Sequence, residues 1–220
     1  MTYGNEGLGE QAKAFDVTIV DCGIGNIRSV QRMFEASGAS TQIADDPSTI
    51  AECRRLVLPG VGAFDAGMAA LEEGRWIDPL NHVALVMRRP ILGICLGMQL
   101  LCDRSEEGRR SGLGWINADV VRVDTGGDPS LKIPHMGWTL TEPVRPSPLF
   151  PEIANELRFY YVHKYRVRCR NREQVIATAR YGATFDCAIN RDNIYGVQFH
   201  PEKSHRFGMD LMRRFVALPC

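Results

Sequence analysis

The sequence predicts an α/β fold: a central, mostly parallel or mixed sheet flanked by helices, built as a single domain over residues 16–220. Three observations predict it. Short apolar runs alternate with stretches of helical periodicity through the first hundred residues, the rhythm of a parallel sheet covered on both faces. After Asp103 the texture changes to short strand-like runs among frequent Gly, Arg and Pro. No stretch reads as a linker, an internal repeat or a low-complexity tract.

The elements follow in order. Residues 1–15 are polar and Gly-rich, so they are expected to form a flexible leader and not a secretory signal or a membrane anchor. Asp16–Asp21 reads as a buried strand. Asn26 can cap a helix carrying Ile27, Val30, Phe34 and Ser37 at helical spacing, and Gly38 stops it. Thr41–Ala44 and Leu56–Leu58 are strand candidates, the second running into Pro59-Gly60-Val61-Gly62. Ala63–Glu73 and Arg75–Met87 read as helices, with Pro79 near a helix start. Pro90–Ile94 is a short apolar strand, and a tight turn leads into a helix over Leu96–Cys102. Strands are then expected at Asp119–Val123, Phe159–Val162, Val175–Thr178, Cys187–Asn190 and Tyr195–Phe199, the last two joined by a turn at Asp192-Asn193. Phe207–Leu218 closes the chain as an amphipathic helix with Leu211, Met212, Phe215 and Val216 inward.

Composition removes several classes of function. Lys plus Arg equals Asp plus Glu at 26 each, which argues against a nucleic-acid binder held by phosphate contacts. Seven cysteines, an odd number with no C-x-x-C pair, disfavour both a disulfide framework and a structural zinc site. The apolar runs are too short to span a bilayer. The expected compartment is a reducing cytoplasm. No cluster suggests a metal or a cofactor, and the Gly-rich turns lack dinucleotide or Walker spacing.

Three fragments carry chemistry. Gly93-Ile94-Cys95-Leu96-Gly97 sets a cysteine between glycines after an apolar strand, a thiol version of the nucleophile elbow. A helix N-terminus there would favour thiolate, and the Leu96 N–H could hold an oxyanion. A buried structural cysteine in a Gly-rich turn has the same pattern. Tyr195–Glu202 (YGVQFHPE) delivers His200 at the end of a β-rich run with Glu202 two residues on. An imidazole can deprotonate a thiol, and a carboxylate can fix its tautomer. His200 and Glu202 are expected to project from one side of an extended segment; an exposed pair at a strand end is the plainer alternative. Leu58-Pro59-Gly60-Val61-Gly62 exposes backbone N–H groups after a strand, which suits an oxyanion but also describes an ordinary turn. Gln99, one helical turn beyond Cys95, can face the same pocket. All these signals fall at predicted strand ends, where α/β proteins place ligands.

The fragments LPGVG, GICLGMQLL and YGVQFHPEKS resemble the class I, triad-type glutamine amidotransferases. DCGIGNIRSV, LPGVGAF, SEEG, LGW, PHMGW and FYYVHKY extend the likeness over residues 16–217 to the glutaminase subunits of imidazole glycerol phosphate synthases. PHMGW (Pro134–Trp138) is the most discriminating, because triad amidotransferases in general lack it. The resemblance implies a flavodoxin-like three-layer fold and glutamine as substrate. It implies Cys95 as nucleophile, His200 as base and then acid, and Glu202 as orienting carboxylate. Gly60, Val61 and Gly62 would form an oxyanion strand with a flippable peptide; Leu96, Gly97, Gln99, Lys164 and Tyr165 would border the substrate. The implied partner is a cyclase (β/α)8 barrel that receives ammonia, with Met136, Trp138 and Lys203 as interface candidates. Core placement of Met136 and a solvated Lys203 are the plainer alternatives.

Four features depart from the family pattern. Thr139 stands where Asn is usual after PHMGW, Lys164 replaces Ser or Thr in the VH-x-Y segment, Cys22 replaces Tyr, and the leader is extra. They spare the triad but bear on the downstream reaction. Histidine biosynthesis is the first expectation. A paralogous subunit that supplies ammonia for amidination of a surface-polysaccharide sugar is the second. A non-catalytic partner-binding module would lack the nucleophile or base, and a cysteine peptidase would need an open groove.

Overall fold

The computed structural model describes residues 15–150 and 156–220, so nearly all of the expected leader lies outside the described residues. Among those described, twelve strands form one sheet. Strands β1 (Val17–Val20), β2 (Thr41–Ala44), β3 (Leu56–Gly60) and β4 (Ile91–Cys95) are parallel in the order β2-β1-β3-β4. Beyond them come β5 (Arg104–Ser105), β6 (Ala118–Arg122), β7 (His135–Pro143), β8 (Leu157–His163), β9 (Tyr165–Cys169), β10 (Val175–Tyr181), β11 (Ala183–Arg191) and β12 (Ile194–Val197). β12 lies parallel to β4; β11, β10, β7 and β8 then follow antiparallel, and β9, β6 and β5 branch from β11. The sheet is therefore mixed, parallel where apolar strands are buried on both faces and antiparallel beyond, as the change of texture at Asp103 predicts.

Helices cover both faces. Helices α1 (Ile27–Ala36) and α5 (His205–Val216) pack on one, with Val30, Phe34, Leu211, Met212 and Phe215 in a core that includes Val17, Ile19 and Val197. Helices α2 (Phe64–Glu73), α3 (Ile77–Asn81) and α4 (Leu96–Leu100) cover the other, where Phe64, Met68, Leu71 and Leu80 meet Val20, Leu56 and Leu58. A period of 3.6 on a helix and continuous apolarity in a parallel strand each point at a core, which is why these elements were legible.

Four local expectations need correction. Asn26 precedes α1 but its side chain makes no capping hydrogen bond. The helix expected over Arg75–Met87 is α3 followed by a wider turn at His82–Val86, with Pro79 as the third residue of α3. The helix after Cys95 lasts five residues. His200–Lys203 is a tight helical turn, not an extended segment, with Pro201 at its start.

Candidate active site

The sheet assembles the site from its C-terminal strand ends. Gly60 at the end of β3 lies opposite Cys95 at the end of β4, and Val197 of β12 lies opposite Ile94. Three strands thus deliver the oxyanion-type segment, the thiol and the histidine loop to one edge.

Cys95 sits on the elbow with φ 55° and ψ −108°, a left-handed backbone that L-residues rarely adopt. Close packing holds it there. A Cβ on Gly97 would lie 1.8 Å from the Leu58 carbonyl oxygen, so only glycine lets the elbow press against β3. Around Sγ stand the Gln198 side-chain amide at 3.8 Å and the Val162 carbonyl at 4.0 Å.

His200 is anchored by its own turn. Its N–H donates to Tyr160 O (2.9 Å), and the Ser204 hydroxyl donates to His200 O (2.7 Å) while accepting from the Tyr160 N–H (3.0 Å). The turn brings Glu202 round so that His200 Nδ1 meets Oε1 at 2.8 Å, both side chains 2% exposed. An Nδ1–H given to a carboxylate leaves Nε2 for the thiol. That nitrogen is buried with no protein partner at hydrogen-bond distance, so Cys95 acts on it by proximity and not through a formed bond. Burial opposes charge on His200, but the thiol and the Glu202 carboxylate outweigh it and push its pKa up to about 10.

A cavity of about 430 Å³ opens over Cys95 and His200. Of the residues expected at the substrate, Val61, Gly62, Leu96, Gln99, Lys164 and Tyr165 line it, and Lys203 does too. Gly60 and Gly97 do not; they stand back to back behind the elbow. The Val61 N–H donates to Ile24 O (2.6 Å), so this donor is turned away from the cavity. Gly62 has φ +109°, which glycine accepts without strain. Gln99 is not a solvated helix residue: it is 5% exposed, and its amide donates to Tyr165 O and Gln198 Oε1, both at 3.0 Å.

Sequence reasoning missed several groups here. Glu107 lines the cavity and accepts the Phe64 N–H at 2.9 Å, capping α2; its signal was the SEEG run, to which no role was attached. His163 also lines the cavity. Its Nδ1 lies 2.9 Å from Tyr165 O, which can only accept, so Nδ1 carries the proton and Nε2 accepts from His135 Nδ1 (3.0 Å). His135 Nε2 then accepts the Thr139 hydroxyl at 2.8 Å. Burial pushes both imidazoles down, His135 to about 4 and His163, with His135 beside it, to about 3.

Outside the cavity, β7 presents Met136 (60% exposed), Trp138 (45%) and Leu140 (37%) to solvent, so Met136 is not a core residue. Trp138 stacks on His205, and the Lys203 ammonium lies 5.8 Å from the Tyr160 ring centroid.

Thiol hydrolases on doubly wound sheets are built this way, and the elbow, the imidazole and the carboxylate at the strand ends put the chain in that class. The family model for glutamine amidotransferase class-I matches residues 18–218. The chain belongs to that family. Its relatives include a Pseudomonas aeruginosa protein described as imidazole glycerol phosphate synthase subunit HisH 2, 43% identical over 92% of this chain and 99% of that one. A Methanococcus maripaludis protein of the same description is 45% identical over 91% of this chain and 98% of its own length. Among solved structures, PurLQS from Thermotoga maritima aligns with TM-score 0.69 at 16% identity over 91% of this chain and 96% of that one. A putative GMP synthase protein from Thermoplasma acidophilum aligns with TM-score 0.64 at 24% identity, covering 91% of each chain. These two likenesses concern the fold.

Proposed function

We propose that the chain is the glutaminase subunit of an imidazole glycerol phosphate synthase, working in the cytoplasm with a cyclase (β/α)8-barrel partner that makes imidazole glycerol phosphate and AICAR in histidine biosynthesis. The observation that carries the reading is the convergence of Cys95, His200 and Glu202 on one cavity in a chain so similar to those relatives.

The chemistry follows from the residues. The Cys95 thiolate attacks the side-chain amide carbon of glutamine. His200, holding a proton through its ion pair with Glu202, delivers it to the leaving nitrogen, which departs as ammonia. Water, deprotonated by the now neutral His200, hydrolyses the glutamyl thioester and regenerates the thiol. Glu107 and Lys164 offer opposite charges in the cavity for the ammonium and carboxylate of the substrate. The Leu96 N–H, first in α4 and so without an intrahelical partner, is one oxyanion donor. The Val61 N–H becomes the second only if its peptide rotates away from Ile24 O. Partner docking on Met136, Trp138 and Lys203 would supply that rotation and cover the route of the ammonia.

A second reading keeps the glutaminase and changes the acceptor: a paralogous subunit for amidination of a surface-polysaccharide sugar. The departures Thr139 and Lys164 support it. Glutamate release from glutamine, measured with and without the host's cyclase barrel and its ribonucleotide substrate, separates the two. Stimulation by the cyclase that disappears in Cys95→Ala is expected. A well-folded chain that the cyclase leaves silent would overturn the histidine assignment.

A further inference from the structure

We propose that Gln198 is a positioning residue for the nucleophile: its side-chain amide, oriented by Gln99, presents a fixed N–H donor to Cys95 Sγ and favours the thiolate. This rests on the reading of Cys95 as nucleophile.

Register places the residue. Val197 lies opposite Ile94, so the next residue of that chain comes alongside Cys95, and the Gln198 N–H is pinned to Cys187 O at 2.9 Å. The side chain is fully buried, so its amide has no solvent to turn to. Its polarity is then set by a chain of forced choices. Tyr165 O can only accept, so the group of Gln99 facing it is the NH2. That same Nε2 lies 3.0 Å from the Gln198 amide, which must therefore turn its carbonyl oxygen to Gln99. The Gln198 NH2 is left facing Sγ, at 3.8 Å.

An N–H aimed at sulfur binds the thiolate better than the thiol, whereas the Val162 carbonyl on the other side can accept only from S–H. Gln198 thus counters Val162 without adding a charge. The charged and titratable groups that face this space are His200 with Glu202, His163, Glu107, Lys164 and Lys203. None is altered by changing Gln198, so their influence is common to wild type and variant.

The test is the rate at which iodoacetamide alkylates Cys95 in the full-length chain, followed by peptide mass spectrometry from about pH 5 to about pH 10. Gln198→Met keeps the length and loses the donor. Its alkylation midpoint should rise by about one pH unit, an alkylation rate roughly tenfold slower below the midpoint. Gln198→Asn retracts the amide by one methylene and should shift the midpoint the same way; it decides the matter if the Met variant does not fold. In the complex with the barrel partner, kcat should fall with KM unchanged. An unchanged midpoint in a variant that melts like wild type would reduce Gln198 to packing and overturn the proposal. A shifted midpoint in a chain whose wild-type complex releases no glutamate would uphold Gln198 and sink the functional reading instead.

Discussion

His200 and His163 line the same cavity and are both buried, yet their affinities for a proton move in opposite directions. Burial disfavours charge on each. His163 meets only neutral groups, the Tyr165 carbonyl and the His135 ring, and falls to about 3. His200 meets a thiol that can ionise and a buried carboxylate, and rises to about 10. A few ångströms of chain geometry thus separate an imidazole that holds a proton at neutral pH from one that cannot. The cavity needs both: one proton to deliver, and a wall that adds no second positive charge beside it.

Removing the charge that distinguishes His200 should have the largest effect. Glu202→Gln keeps a hydrogen-bond acceptor at Nδ1 but no anion, and kcat for glutamate release in the complex should drop by roughly 10²–10⁴. The same variant should change how stability depends on pH. A histidine raised to about 10 in the folded chain contributes stability that is fully present below its unfolded value and lost as pH rises through 10. Wild type should therefore lose more stability than Glu202→Gln between neutral and alkaline pH, read from urea midpoints.

The neutral pair is next in size and opposite in sign. The unfolded chain protonates His135 and His163 near 6.5, while the folded chain keeps them neutral to about 4 and about 3. Stability should then fall as pH drops below 6.5, by on the order of 2 kcal/mol per ring between pH 7 and 5. His135→Gln should be less stable at pH 7 yet lose about half as much on acidification; an equal loss would mean that other groups set the acid limit.

The smallest effect tests the end of that network. Thr139→Val removes the hydroxyl that His135 Nε2 accepts and should cost about 1 kcal/mol. Thr139→Asn, the usual family residue, restores a donor and should melt within a degree or so of wild type.

The chain's own order of residues determined the parallel half of the sheet, the helices, and the three fragments that meet at its edge. A buried parallel strand, an amphipathic helix and a Gly-flanked elbow each leave a contiguous trace, because one local geometry imposes each pattern. β7 left none. Its inward residues are His135, Thr139 and Thr141 and its outward ones Met136, Trp138 and Leu140, so the usual alternation is inverted and a search for apolar inward positions passes it by. The tertiary structure alone decided that Val61 turns its N–H to Ile24, that His135 pairs with His163, and that Gln198 reaches Cys95 through Gln99. Each joins residues far apart in the chain. Only the register of neighbouring strands brings them within a hydrogen bond, and no local pattern records register.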